Sequence, residues 1–235
     1  MGLTAASTGK KAVDEGLVIH KATPDDKVIA LAGNPNVGKS TVFNELTGMN
    51  QHTGNWPGKT VTNAQGQCTH QGMHYVMVDI PGTYSLMAHS AEEEVARDFI
   101  CFGEPDGVVV VCDATCLERN LNLVLQTMEI TSRVVVCVNL MDEAKKKNIR
   151  IDFKQLSQNL GVPVVGASAR SKKGLDTLMD EVEKIVSADT SPTPARIRYT
   201  KPIEEAIAMV EPTVSSFLKG KLSSRWVSLR LLDYD

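Results

Sequence analysis

Gly33, Gly38, Lys39 and Ser40 stand in the order G-x-x-x-x-G-K-S within the stretch GNPNVGKST. That spacing holds phosphate. Its glycines let successive backbone N–H groups turn inward toward anionic oxygens. Lys39 offers a point charge to the β- and γ-phosphates, and Ser40 offers a hydroxyl to Mg2+. An apolar run at 28–31 precedes the loop and TVFNELTG follows it, which supplies the strand–loop–helix setting the motif needs. Gly33, Asn34, Asn36, Val37, Gly38, Lys39, Ser40 and Thr41 are the expected phosphate-side contacts.

A phosphate loop does not choose between ATP and GTP. Asn139-Leu140-Met141-Asp142, directly after RVVVCV, does. It is an NKxD-type element of GTPases with Leu140 in place of the lysine. Asp142 can accept from both N1–H and the 2-amino group of guanine, whereas adenine has no N1–H. A site built on such buried bonds rejects the wrong base by about 10⁴ or more. Ser168-Ala169 fits the element whose backbone N–H meets guanine O6. Asn139, Met141, Asp142, Ser168 and Ala169 therefore complete a guanine site. Without the lysine stem over the base, affinity is expected to be modest.

Asp79-Ile80-Pro81-Gly82 supplies the γ-phosphate side: Asp79 holds Mg2+ through water and the Gly82 N–H senses the γ-phosphate. Thr60 is the second Mg2+ ligand, on a loop, HTGNWPGKTVTN, expected to order only around that phosphate. Ras-like enzymes place a water-orienting glutamine after the glycine; here stands Thr83. Its hydroxyl is too short for that reach, so hydrolysis should be slow or use another device. Asn36 offers one, an amide oxygen beside the phosphates for K+, in the manner of potassium-activated GTPases. By residue type, Asn34 and Asn36 are equally turn formers. Lys39, Thr60, Gly82 and Asn36 are thus the expected catalytic set.

GNPNVGKST, NWPGKTV, DIPGTYSL and NLMDEA resemble, in order and spacing, the cytosolic G domain of the FeoB family of bacterial ferrous iron transporters. The resemblance implies a GTPase coupled to Fe2+ passage, on the cytoplasmic side of the inner membrane. Its implied partners are guanine nucleotide and the membrane transport domain of the same protein. It leaves room for a small accessory Feo protein and for homo-oligomers. The chain ends at Asp235 without a membrane span, so it is expected to be a fragment.

These residues need a frame to hold them. From Lys27 onward, strand runs at 28–32, 66–69, 75–79, 108–112, 134–139 and 162–166 alternate with helices at 40–47, 91–102, 117–129, 153–160 and 175–186. That order predicts a Ras-like α/β fold with a mostly parallel, six-stranded sheet flanked by helices. The short link His70-Gln71-Gly72 makes one pair an antiparallel hairpin. Ser90 with Glu93 reads as a capping box. Residues 1–26 read as a mobile tail, 27–187 as the G domain, and 188–235 as a linker and small helical domain. In the last, Ile203, Ile207, Val210, Val214 and Phe217 form one apolar stripe, which Pro212 should kink or split. Helices this short must pack on the G domain or on a further partner.

Composition narrows the field. The 235 residues carry a net charge of −3 and 42% hydrophobic residues, which gives no whole-chain signature of nucleic-acid binding. No apolar run reaches the ~18–20 residues of a membrane span. Five cysteines lack zinc spacing and their odd number disfavours a disulfide framework, as in the cytosol. Scattered His52, His70, His74 and His89 read as solvated rather than as iron ligands. Two alternatives stay open: a regulatory module in which hydrolysis only resets nucleotide exchange, and a ribosome-associated GTPase, which would bring a basic RNA-binding appendage.

Overall fold

Alternate residues of the first strand face opposite sides of one sheet. In β1 (Lys27–Gly33), Val28, Ala30 and Ala32 join one core, while Ile29 and Leu31 join the other. The same division runs through β4 (Met73–Asp79), β5 (Gly107–Asp113) and β6 (Val134–Asn139). Strands buried on both faces have no solvent side, which is why they read as unbroken apolar runs. The structure, a computed structural model, describes residues 17–48, 51–87, 89–187, 192–219 and 222–233.

With β2 (Gln51–Asn55), β3 (Thr62–His70) and β7 (Val164–Gly166), the sheet has seven strands in the order β2-β3-β4-β1-β5-β6-β7. β1 is parallel to β4 and β5, and β6 and β7 continue that direction. β3 runs antiparallel to both β2 and β4. Helices α1 (Lys39–Thr47) and α6 (Leu175–Ser187) cover one face. On the other lie α2 (Ala91–Phe102), α3 (Leu117–Ile130) and α5 (Phe153–Leu160). Chain direction reverses outward from β1, so a crevice opens at its carboxyl end, the usual ligand position in such sheets.

The expected hairpin is present. Gln71 (φ 47°) and Gly72 (φ 83°) are both left-handed, as a two-residue I′ turn requires. Ser90 caps α2 through Glu93 N at 3.1 Å, while the Glu93 carboxylate accepts from His89 N at 3.0 Å.

Four expectations need correction. The sheet has a seventh strand, β2, in the segment read as a loop, and β3 begins at Thr62 rather than 66. β7 starts at Val164, after Pro163, which has no N–H for a ladder. Within the supposed tail, residues 17–26 are held: Gln65 Nε2 donates to Val18 O (2.8 Å), and His20 N donates to Gln65 Oε1 (3.0 Å). Leu17 and Ile19 pack on the core there. Residues 1–16 and 188–191, assigned to tail and linker, lie outside the described residues.

The fourth correction concerns Pro212. α7 (Lys201–Leu218) runs through it unbroken, losing one bond to Ala208 O, with Ile207 and Val214 buried on either side. The predicted stripe is only partly covered: Ile203 is 39% and Phe217 80% exposed. α8 (Ser224–Leu232) packs on α7 and reaches α3, with Trp226 against the first core. No helix of the described residues is long and apolar enough to cross a membrane.

Candidate functional site

The loop after β1 curls because Gly38, the N-cap of α1, takes φ 81°. A side chain there is barred twice: the left-handed backbone disfavours it, and its Cβ would lie 2.5 Å from Asn139 Nδ2. Asn139, at the end of β6, is fully buried and uses both ends of its amide. Nδ2 donates to Val37 O at 3.1 Å, and Oδ1 accepts from Ala169 N at 3.0 Å. One side chain thus ties the phosphate loop to the Ser168-Ala169 segment.

Leu140 follows in a left-handed conformation (φ 62°) and starts a short helix, α4 (Met141–Lys146), which was not expected from the sequence. That turn presents Asp142 outward, and its N–H donates to Ser168 Oγ at 3.2 Å. Met141, Asp142 and Ser168 line a cavity of about 880 Å³. Ala169 N is occupied by Asn139, so Ala169 is fixed in position rather than free to reach outward.

A second cleft of about 760 Å³ gathers Lys39, Thr60, Asp79 and Gly82. Lys39 Nζ is ion-paired with Asp79 Oδ1. Burial raises the Asp79 carboxyl above the usual carboxylate range, and the Lys39 ammonium draws it part of the way back. Asp79, Thr60 and Ser40 are hard oxygen donors of the kind Mg2+ takes. Asn34 is buried with neither amide atom partnered. Asn36, exposed at φ 67°, occupies the left-handed turn position that its residue type also suits.

Thr83 is buried and turned away from the cleft. Its hydroxyl donates to Ser85 O at 2.6 Å and accepts from Ser85 N at 3.2 Å, while Thr83 N donates to Gly33 O at 3.2 Å. The Thr-x-Ser spacing was the available signal for this local turn. Two further holds were not legible. Trp56 packs edge-on against Phe99 of α2 (5.3 Å between centroids), and Lys59 pairs with Glu94. Beyond Thr83, Leu86 N donates to Gln126 Oε1 at 2.7 Å, and Arg119 stacks on the Tyr84 ring at 4.3 Å. Thr60 itself is exposed, so the loop is anchored around it rather than through it.

The His52 ring lies 5.3 Å from that of His20, centroid to centroid. His70 meets Asp180 at 2.7 Å and His74 meets Thr69 at 3.0 Å, and the described residues hold no three-residue metal cluster. All five cysteines are free.

The profile described as ferrous iron transport protein B matches residues 27–182, and that of the FeoB cytosolic helical domain matches residues 199–235. The chain belongs to the FeoB family. The Fe(2+) transporter FeoB of Escherichia coli K12 is 36% identical over 211 residues, 88% of this chain. This chain spans only 27% of the length of that FeoB protein. The cytosolic domain of the T. maritima FeoB iron transporter in its GMPPNP form has a TM-score of 0.81 at 35% identity, covering 89% of this chain and 82% of that one. Its GDP form I gives 0.79 at 35% identity, covering 87% and 79%. A FeoB G domain therefore belongs to a GTPase family with both nucleotide forms solved.

Proposed function

We propose that this chain binds GTP and hydrolyses it to GDP and phosphate, as the nucleotide-switching part of a longer Fe2+ transporter. The observation that carries the reading is the pair of hydrogen bonds made by the Asn139 amide, which holds the phosphate loop and the guanine-side elements in one constellation. Asp142 takes the guanine edge, with Met141 and Ser168 walling the base. Backbone N–H groups of the loop, among Gly33, Asn34, Asn36, Val37, Gly38, Lys39, Ser40 and Thr41, hold the phosphates. Lys39 would exchange Asp79 for the β- and γ-phosphates, and Asp79 would help hold Mg2+.

Ser40, Thr60 and Asp79 would hold Mg2+, and their all-oxygen donor set suits it. When bound, Mg2+ neutralises charge on the transferring phosphoryl group. Asn36 would hold K+, since its amide makes no hydrogen bond among the described residues and the Asn34 amide is likewise unsatisfied there. Such a cation would supply charge that no arginine in residues 52–63 or 82–91 provides. Gly82 N–H faces the γ-phosphate side, and Thr60 engages only when that phosphate is present. Thr83 takes no part in orienting water because Ser85 occupies its hydroxyl. Slow intrinsic hydrolysis, stimulated by K+, fits this arrangement.

Equilibrium binding tests the reading. GDP should bind at least about a thousandfold more tightly than ADP, the discrimination a hydrogen-bonded base site gives. Equal binding of the two would place the base elsewhere.

A further inference from the structure

Cations collect around the base-end cavity. Residues 142–173 hold eight lysines and arginines against three carboxylates, in a chain whose net charge is −3. Lys145 from α4, Arg150 from the loop after it, and Lys173 from the loop before α6 all line that cavity. Lys147 and Arg170 are exposed on the same loops. Lys146 and Lys172 spend their charges locally, on Glu143 at 2.8 Å and Glu45 at 3.1 Å. Lys145, Lys147, Arg150, Arg170 and Lys173 form no side-chain ion pair or hydrogen bond among the described residues. Of the three carboxylates in that span, Asp142 lines the same cavity, Glu143 is paired with Lys146 and Asp152 caps α5, while denser acidic runs lie on α2 (Glu92, Glu93, Glu94) and α6 (Asp180, Glu181, Glu183).

Unpaired like charges held this close repel one another, a cost that an anionic partner offsets. The form of the patch indicates which partner. A discrete phosphate site fixes its cations with hydrogen bonds and partly buries them. Here all five are exposed and unrestrained, which suits a diffuse negative surface. Relatives of this chain are Fe(2+) transporters, and transport works across a membrane, so a lipid surface is the diffuse anion that this family context favours. We propose that the face carrying Lys145, Lys147, Arg150, Arg170 and Lys173 docks on the anionic lipid headgroups of the membrane. The inference does not rest on the nucleotide reading, because none of the five cations is assigned to nucleotide, although Lys145, Arg150 and Lys173 share a cavity with Asp142.

Vesicle cosedimentation of the 235-residue chain tests it. Vesicles of phosphatidylcholine with about a third phosphatidylglycerol should bind the chain, binding should fade as the Debye length shrinks toward ~3 Å near 1 M salt, and pure phosphatidylcholine should not bind. Lys145→Gln, Arg150→Gln and Lys173→Gln together should weaken partitioning about a hundredfold, at about fivefold for each cation. Lys21→Gln with Arg198→Gln, on other segments, should change it little. Circular dichroism establishes whether the triple variant folds, and the lipid and salt dependence of the unaltered chain judges the proposal if it does not. Equal binding to neutral vesicles, or full binding by the folded triple variant, overturns the proposal. So does binding to single-stranded RNA with none to anionic vesicles. Loss of vesicle binding in millimolar inorganic phosphate at constant ionic strength would mean a discrete phosphate site and would equally overturn it.

Discussion

The ammonium of Lys39 rests on the carboxylate of Asp79, across the cleft where the γ-phosphate end of a nucleotide would lie. Both side chains are largely buried, so each shields the other from an unpaired charge. In the proposed function this pairing would be a switch of partners, with nucleotide drawing Lys39 away and leaving Asp79 for a metal. Asp79→Asn should therefore uncouple nucleotide from Mg2+. In the unaltered chain, chelating Mg2+ should weaken GTP binding. In the variant that difference should shrink and hydrolysis should fall about a hundredfold or more. Retention of the full Mg2+ dependence would remove Asp79 from the metal site.

Thr83 follows Gly82, where Ras-like enzymes carry a glutamine, and the proposed function gives it no part in orienting water. Its hydroxyl is committed to Ser85 on both sides. Thr83→Ala should leave the hydrolysis rate within about threefold and lower stability by ~1 kcal/mol, the ordinary value of a lost internal hydrogen bond. A hundredfold loss of rate with unchanged melting temperature would mean that the hydroxyl positions water.

Asn36 carries the potassium proposal. GTP hydrolysis should run at least about tenfold faster in K+ than in Na+ at equal ionic strength, within the ~10³–10⁵ that an arginine finger can supply. Asn36→Ala should erase the difference while nucleotide binding persists. Equal rates in the two salts for the unaltered chain would end the idea.

The junction between α7 and α8 should be sensitive to acid. Arg225 grips Glu204 with two bonds, Nη1 to Oε2 at 3.0 Å and Nη2 to Oε1 at 2.7 Å, and Tyr199 N adds a third at 2.9 Å. These hold the Glu204 carboxyl down at about 2, led by the Arg225 bonds, from an ordinary value of 4.5. A depressed carboxyl stabilises the fold above its unfolded value and loses that contribution as pH falls through its folded one. Glu204→Gln should thus lower the melting temperature at pH 7. The gap from the unaltered chain should close between about pH 4.5 and 2. A gap independent of pH across that window would mean that shape, not charge, sets the junction.

What the sequence disclosed divides along contact range. The phosphate loop, DIPG and NLMD were legible because each is local: a strand end, a fixed spacing and one or two special residues. Gln51–Asn55 was not, because its five polar or small residues form a strand only through partners far along the chain. β3 supplies its ladder, and Trp56, fixed on Phe99, closes the turn. The hold on residues 17–20 is similar, since it depends on the amide of Gln65. Of the kink or split expected at Pro212, the split does not occur: α7 runs on through it with Ile207 and Val214 buried on either side. Within the site, the roles of Asn139 and Thr83 needed coordinates. Both depend on which way an amide or hydroxyl points.

Base choice tests the central claim most directly. Asp142 is exposed at the mouth of its cavity, positioned through its N–H to Ser168 and open to a guanine edge. Single-turnover phosphate release should be measured with GTP, ATP and xanthosine triphosphate, for the unaltered chain and for Asp142→Asn. The unaltered chain should hydrolyse GTP and leave ATP essentially untouched. The variant should lose GTP by about 10² or more and gain xanthosine triphosphate, because its amide donates where the carboxylate accepted. ATP hydrolysed as fast as GTP, or a variant that keeps its full preference for GTP, would contradict the account.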